Sequence, residues 1–193
     1  MHSQAVEFAE WLRVQVNDQT LPATYRTRAS GACFAIAQEH HFAIVHLVAV
    51  HRFAASFSLM RIAFEAYVRG LWLSRCAKEA ECRRFLRGWE PPPISALLNA
   101  VERTPGFSDQ VLSKIKRRSW KAMCAYAHTG GLHAQRWNTA EGIEPNYSLE
   151  EVSEVVALSE LVGAMSIIAI AELARNDELA QRVLSAVQSR SAA

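Results

Sequence analysis

What the chain lacks narrows its class first. No segment alternates apolar and polar residues with period two for long enough to make a strand, so a sheet-built fold is not expected. Cysteine is scarce: Cys33, Cys76, Cys82 and Cys124 are all there is, none in C-x-x-C spacing. That argues against a zinc site or a disulfide framework and for free cytosolic thiols. Charge of one sign is also missing, with 21 basic against 19 acidic residues and a net charge of +2. The isoelectric point near 8.4 stays below the value of roughly 9 that marks a nucleic-acid footprint by charge alone. The longest apolar runs, "FAIVHLVAV" (42–50) and "LVGAMSIIAIAELA" (161–174), fall short of the roughly 20 residues a membrane span needs and read as buried helices. "MHSQAVEFAEWLRVQ" carries charges inside its apolar pattern, so it reads as a helix and not as a signal peptide. There are no repeats, low-complexity tracts or linkers. The expectation is one cytoplasmic helical domain over 1–193, with its core at about 24–175 and a disordered tail at 188–193.

What is present is helical periodicity along most of the chain. Ser3 is placed to cap a first helix to about Gln19, and Thr24 a second to about His51. A third covers Ala54 to Ala77. The break before it contains neither Gly nor Pro and is placed there because an unbroken span of some fifty residues would be unusual. "KEAECRRFLRGW" (78–89) is helical until "EPPP" stops it, and a short helix spans Ile94–Glu102. Ser108 is expected to cap a helix to about Thr129, with Gly130 as its left-handed stop. Ser148 and Glu151 have capping-box spacing before the apolar helix 149–174, and Asp177 is placed to cap a last helix to about Val187.

Two polar features stand out. With Arg61 set at 0° and about 100° per residue, Glu65 falls near 40°, Arg69 near 80° and Trp72 near 20°, a narrow stripe flanked on both sides by apolar residues. Burying Arg and Glu demands pairing, and the i, i+4 spacing on either side of Glu65 lets it bridge both arginines. Such a stripe is either a structural or dimer-interface network or a preorganised cationic pocket for an anion such as phosphate. The second feature is "CAYAHTGGLHAQRW" (124–137), which ends a helix carrying Lys114, Lys116, Arg117, Arg118 and Lys121. His128 lies in its last turn, on the face of Lys121, where a histidine serves as general acid or base or simply caps carbonyls. The paired glycines would let His133, Gln135 or Arg136 fold back toward the same place. His40 and His51 sit three turns apart and no Glu-x-x-His spacing accompanies them, so neither metal nor other cofactor is expected.

The pair "RIAFEAYVRGLWL" and, downstream, "YAHTGG" resembles uncharacterised bacterial helical proteins related to the HEPN (higher eukaryotes and prokaryotes nucleotide-binding) superfamily. The resemblance implies an all-α, antiparallel, HEPN-like bundle, commonly a homodimer. It also implies RNA or nucleotide binding and, in many members, metal-independent RNase activity in toxin–antitoxin or phage-defence systems, often with a cognate partner protein. The family's signature is an arginine followed, after four to six intervening residues, by histidine; here no arginine stands in that window, Lys121 stands six intervening residues before His128 and Arg118 is farther away. Carried over, the resemblance makes His128 the acid or base for attack by a ribose 2′-hydroxyl, with Lys121 or Arg69 stabilising the phosphorane. Arg61, Glu65, Arg118, His133 and Arg136 would then bind the ligand. The competing expectation is a non-enzymatic helical dimer that binds another protein and uses the Arg/Glu stripe structurally.

Overall fold

A computed structural model of the chain describes residues 2–17 and 19–191. Among them there is no strand, and the elements are α1 (His2–Gln15), α2 (Tyr25–Ala49), α3 (Phe53–Arg75), α4 (Glu79–Phe85), α5 (Ile94–Val101), α6 (Val111–Ala127), α7 (Gly131–Gln135), α8 (Leu149–Ala174) and α9 (Asp177–Ser191). The protein is all-helical, as its periodicity requires.

The helix starts divide into those the sequence places and those it misplaces. The Thr24 hydroxyl accepts from the Thr27 amide at 3.1 Å and caps α2. Ser148 and Glu151 make a complete capping box on α8. Ser3, expected as a cap, lies inside α1, where its hydroxyl donates to Glu7 at 3.0 Å. Ser108 does not cap α6. That helix starts later, after left-handed Gln110, and Glu102 receives the Ser113 amide and hydroxyl at 2.7 and 2.6 Å. This contact satisfies an orphan amide from outside the helix and pins α5 to α6. Asn176, not Asp177, caps α9 by accepting from the Leu179 amide at 3.0 Å. The last helix runs to Ser191, through the first part of the segment expected as a tail; 192 and 193 lie outside the described residues.

α2 runs through the middle. Arg26 donates to the Leu73 and Ser74 carbonyls, Phe34 meets Tyr67, and the Ser56 hydroxyl donates to the Ile44 carbonyl, so α2 and α3 lie antiparallel. The turn between them is made by His51 at φ 57°, a left-handed residue that does the work expected of glycine. α8 covers another side of α2, also antiparallel, with Gly31 near Leu173 and His41 against Ser159 and Gly163. Two glycines make these approaches close. A Cβ on Gly70 would stand 2.5 Å from the Phe34 ring, and one on Gly163 would overlap the His41 ring. By length and composition α2 and α8 would each suit a membrane crossing; 44% and 56% of their apolar windows are buried inside the protein. Phe34, Phe64, Leu71, Leu97, Leu98 and Ile167 are among the fully buried side chains of the main core.

Candidate functional site

The stripe on α3 closes as its spacing dictates. Glu65 is 14% exposed and takes Arg61 Nε at 2.8 Å on one oxygen and Arg69 Nη2 at 2.9 Å on the other. Trp72, the fourth member, is buried. A carboxylate holding two guanidiniums leaves excess positive charge along the stripe, with the free N–H groups of both arginines still able to take an anion.

Arg61 reaches further. Its Nη1 contacts His128 Nε2, and its guanidinium carbon lies 5.0 Å from the centre of the Trp120 ring. His128 is exposed at the C-terminal cap of α6. The contact puts a guanidinium directly against the imidazole ring nitrogen Nε2. Of the two stripe arginines expected near the histidine, the structure brings Arg61 against His128, while Arg69 pairs with Glu65. The helix stop beside His128 also differs from expectation. Thr129 takes the left-handed conformation (φ 51°), whereas Gly130 has φ −71° and donates its amide to the Ala125 carbonyl at 2.7 Å. A β-branched residue in that region is strained.

Beside Trp120 a cleft of about 360 Å³ opens between α5 and α6, lined by Ser95, Leu98, Asn99, Ser113, Lys116, Arg117, Trp120 and Lys121. Its α6 wall is a stripe at i, i+3/i+4 and i+7, its α5 wall a matching one. Lys116 donates to the Ser95 hydroxyl at 2.9 Å and lies 5.3 Å from the Trp120 ring centre. Lys121 therefore belongs to this cleft, roughly 10 Å along the α6 axis from His128. Ser95, Asn99 and Trp120 were not singled out by sequence reasoning. The signal that would have found Trp120 is its position on the basic face, one turn after Lys116.

The remaining expected site residues go elsewhere. His133 is buried, its Nδ1 3.0 Å from the Tyr126 carbonyl and its ring edge-on to Tyr126 and Tyr147. Arg136 donates to Glu151, which also holds the α8 capping box. Burial raises the Glu151 carboxyl, but the Arg136 and Ser148 hydrogen bonds outweigh it and hold the group below its usual range. Arg118 pairs with Glu154 at 2.7 Å on the surface. The "GG" turn thus does not gather His133 and Arg136 around His128; it returns them to the core and to the start of α8. The cysteines are free thiols, and burial pushes Cys33 up to about 11, which makes it a poor nucleophile.

A family model described as a family of unknown function (DUF6988) matches residues 34–191, and the chain belongs to that family. No curated protein and no solved structure matches it.

Proposed function

Proceeding from a member of a family of unknown function, we propose a HEPN-like helical bundle that binds RNA or nucleotide phosphate and cleaves RNA without a metal ion, with His128 and Arg61 as the reacting pair. The observation that carries the reading is the single guanidinium of Arg61, which touches Glu65, His128 and Trp120 at the edge of a cleft holding three cations. His128 acts as the base: as Arg61 Nη1 turns from Nε2 toward the phosphate, that ring nitrogen takes the proton from a ribose 2′-hydroxyl, the 2′-oxygen forms its bond to phosphorus and the P–O5′ bond breaks. Arg61 turns its free N–H groups to the phosphate oxygens, and Lys121 adds charge from the cleft. The products are a 2′,3′-cyclic phosphate and a 5′-hydroxyl, whose oxygen takes its proton from water while His128 returns its own to solvent.

A second reading, a non-enzymatic dimer that binds another protein, is favoured by one observation: both oxygens of Glu65 are already engaged, so the stripe is satisfied without a ligand. Incubation of the purified protein with a mixed RNA pool in EDTA, beside His128→Ala, separates the two. Cleavage that falls at least a hundredfold in the variant supports the nuclease. Absence of both cleavage and RNA retention in the native protein sinks it and leaves the interaction module. Equal cleavage by both proteins removes His128 from the site.

A further inference from the structure

Trp120 carries two cations over its ring, Arg61 at 5.0 Å and Lys116 at 5.3 Å from the centroid, and the two are held differently. Arg61 is tethered by Glu65 through Nε, which keeps it beside the indole. Lys116 is a single ammonium on a flexible stem, anchored only to an exposed serine hydroxyl. Lys116 and Trp120 both line the cleft, and Arg61 does not, so Lys116 is the cation that covers the indole from the cleft. The indole itself is partly buried and packs against the main core.

We propose that this cleft is a nucleobase pocket, in which a base stacks on the Trp120 face now covered by Lys116. The displaced Lys116, with Arg117 and Lys121, then takes the adjoining phosphate. The inference rests on the phosphate-binding reading above and adds to it what the cleft reads. A volume of about 360 Å³ lies within the range of small-ligand sites. Its chemistry is sorted by wall. α6 supplies the cations and the aromatic ring, while α5 supplies Ser95 and Asn99 over a floor of Leu98. An ammonium on a half-exposed ring is held weakly, whereas base–aromatic stacking is stronger and leaves the lysine free for a charge-assisted bond to phosphate. The exchange is therefore downhill for a nucleotide and has no counterpart for a bare anion. Asn99 presents an amide donor and acceptor side by side, the pair that matches an adenine edge.

The test is calorimetric titration of the whole chain with inorganic phosphate, ribose 5-phosphate, AMP and a short oligoadenylate. AMP is expected to bind about tenfold more tightly than ribose 5-phosphate, an increment within the range of one stacked base. It should quench tryptophan fluorescence saturably where ribose 5-phosphate does not. Trp120→Leu should abolish the tenfold difference between AMP and ribose 5-phosphate. Asn99→Ala, on an exposed helix face, should weaken AMP several-fold with the fold intact. Tighter binding of the oligonucleotide than of AMP identifies a strand as the source of the base, and equal binding a free nucleotide; each supports the pocket. Equal affinity for AMP and ribose 5-phosphate overturns the pocket and spares the phosphate reading. Silence toward all four probes overturns both.

Discussion

His41 carries the clearest electrostatic consequence of any single residue. It is fully buried between α2 and α8, its Nδ1 3.3 Å from the Ser159 hydroxyl, while its Nε2 and both polar atoms of Gln38 lack hydrogen-bond partners among the described residues. Burial, aided by the positive fields of His46 and Arg190, lowers its pKa from 6.5 to about 4. The unfolded chain therefore binds a proton that the folded chain refuses between those values. Stability is complete above pH 6.5, declines as the pH falls toward 4, and is flat for this group below that, a loss of roughly 3 kcal/mol. Urea unfolding at pH 7, 5.5 and 4.5 should show this slope in the native protein and not in His41→Asn. An unchanged slope in the variant would assign the acid lability to other groups. The stripe on α3 was legible in the sequence because i, i+4 spacing fixes which helical residues meet. The choice of Arg61 over Arg69 as partner of His128 was not, because it depends on where α6 crosses α3.

The same division holds for elements. Helices with strong periodicity and a local cap, α2 and α8, stand where Thr24 and Ser148 put them. α6 and α9 do not start at the expected caps. Asn176, one residue before the expected Asp177, caps α9 locally, whereas α6 is capped by Glu102, eleven residues before Ser113, and no local pattern announces a cap that reaches in from the end of the preceding helix. The fate of the "GG" turn was hidden for a similar reason. The space around Gly130 is filled by Ala125, and Thr129 absorbs the left-handed twist instead. Packing between elements rests on Gly70 and Gly163, each lying under a ring of α2. In an isolated helix Gly→Ala is stabilising by about 1 kcal/mol. Here the new methyl meets an aromatic ring that has nowhere to move, and overpacking of a tight core costs about 1–3 kcal/mol. Gly70→Ala and Gly163→Ala should therefore both lower the urea midpoint without changing the slope of the transition. A rise in either midpoint would mean that the ring relocates freely.

For the molecule as a whole, charge placement matters more than charge total. A net +2 produces almost no long-range field, so an RNA strand would be held only by the cations that touch it. The cleft offers three, Lys116, Arg117 and Lys121, while Arg118 is neutralised by Glu154, Arg136 by Glu151 and Arg75 by Glu172. Each phosphate neutralised on a single strand contributes about −0.7 to the slope of log K against log salt. These three contacts and Arg61 give about −3, a far shallower dependence than that of a strongly basic protein. Filter binding of a short single-stranded RNA across 50–300 mM salt, roughly five Debye-screened conditions, should return that slope. Lys121→Ala should reduce it by about 0.7, whereas Arg118→Ala should leave it unchanged. A slope of −5 or steeper would mean that the strand follows a longer path over α6 than the cleft, and a slope near zero that phosphates are not what the cleft holds.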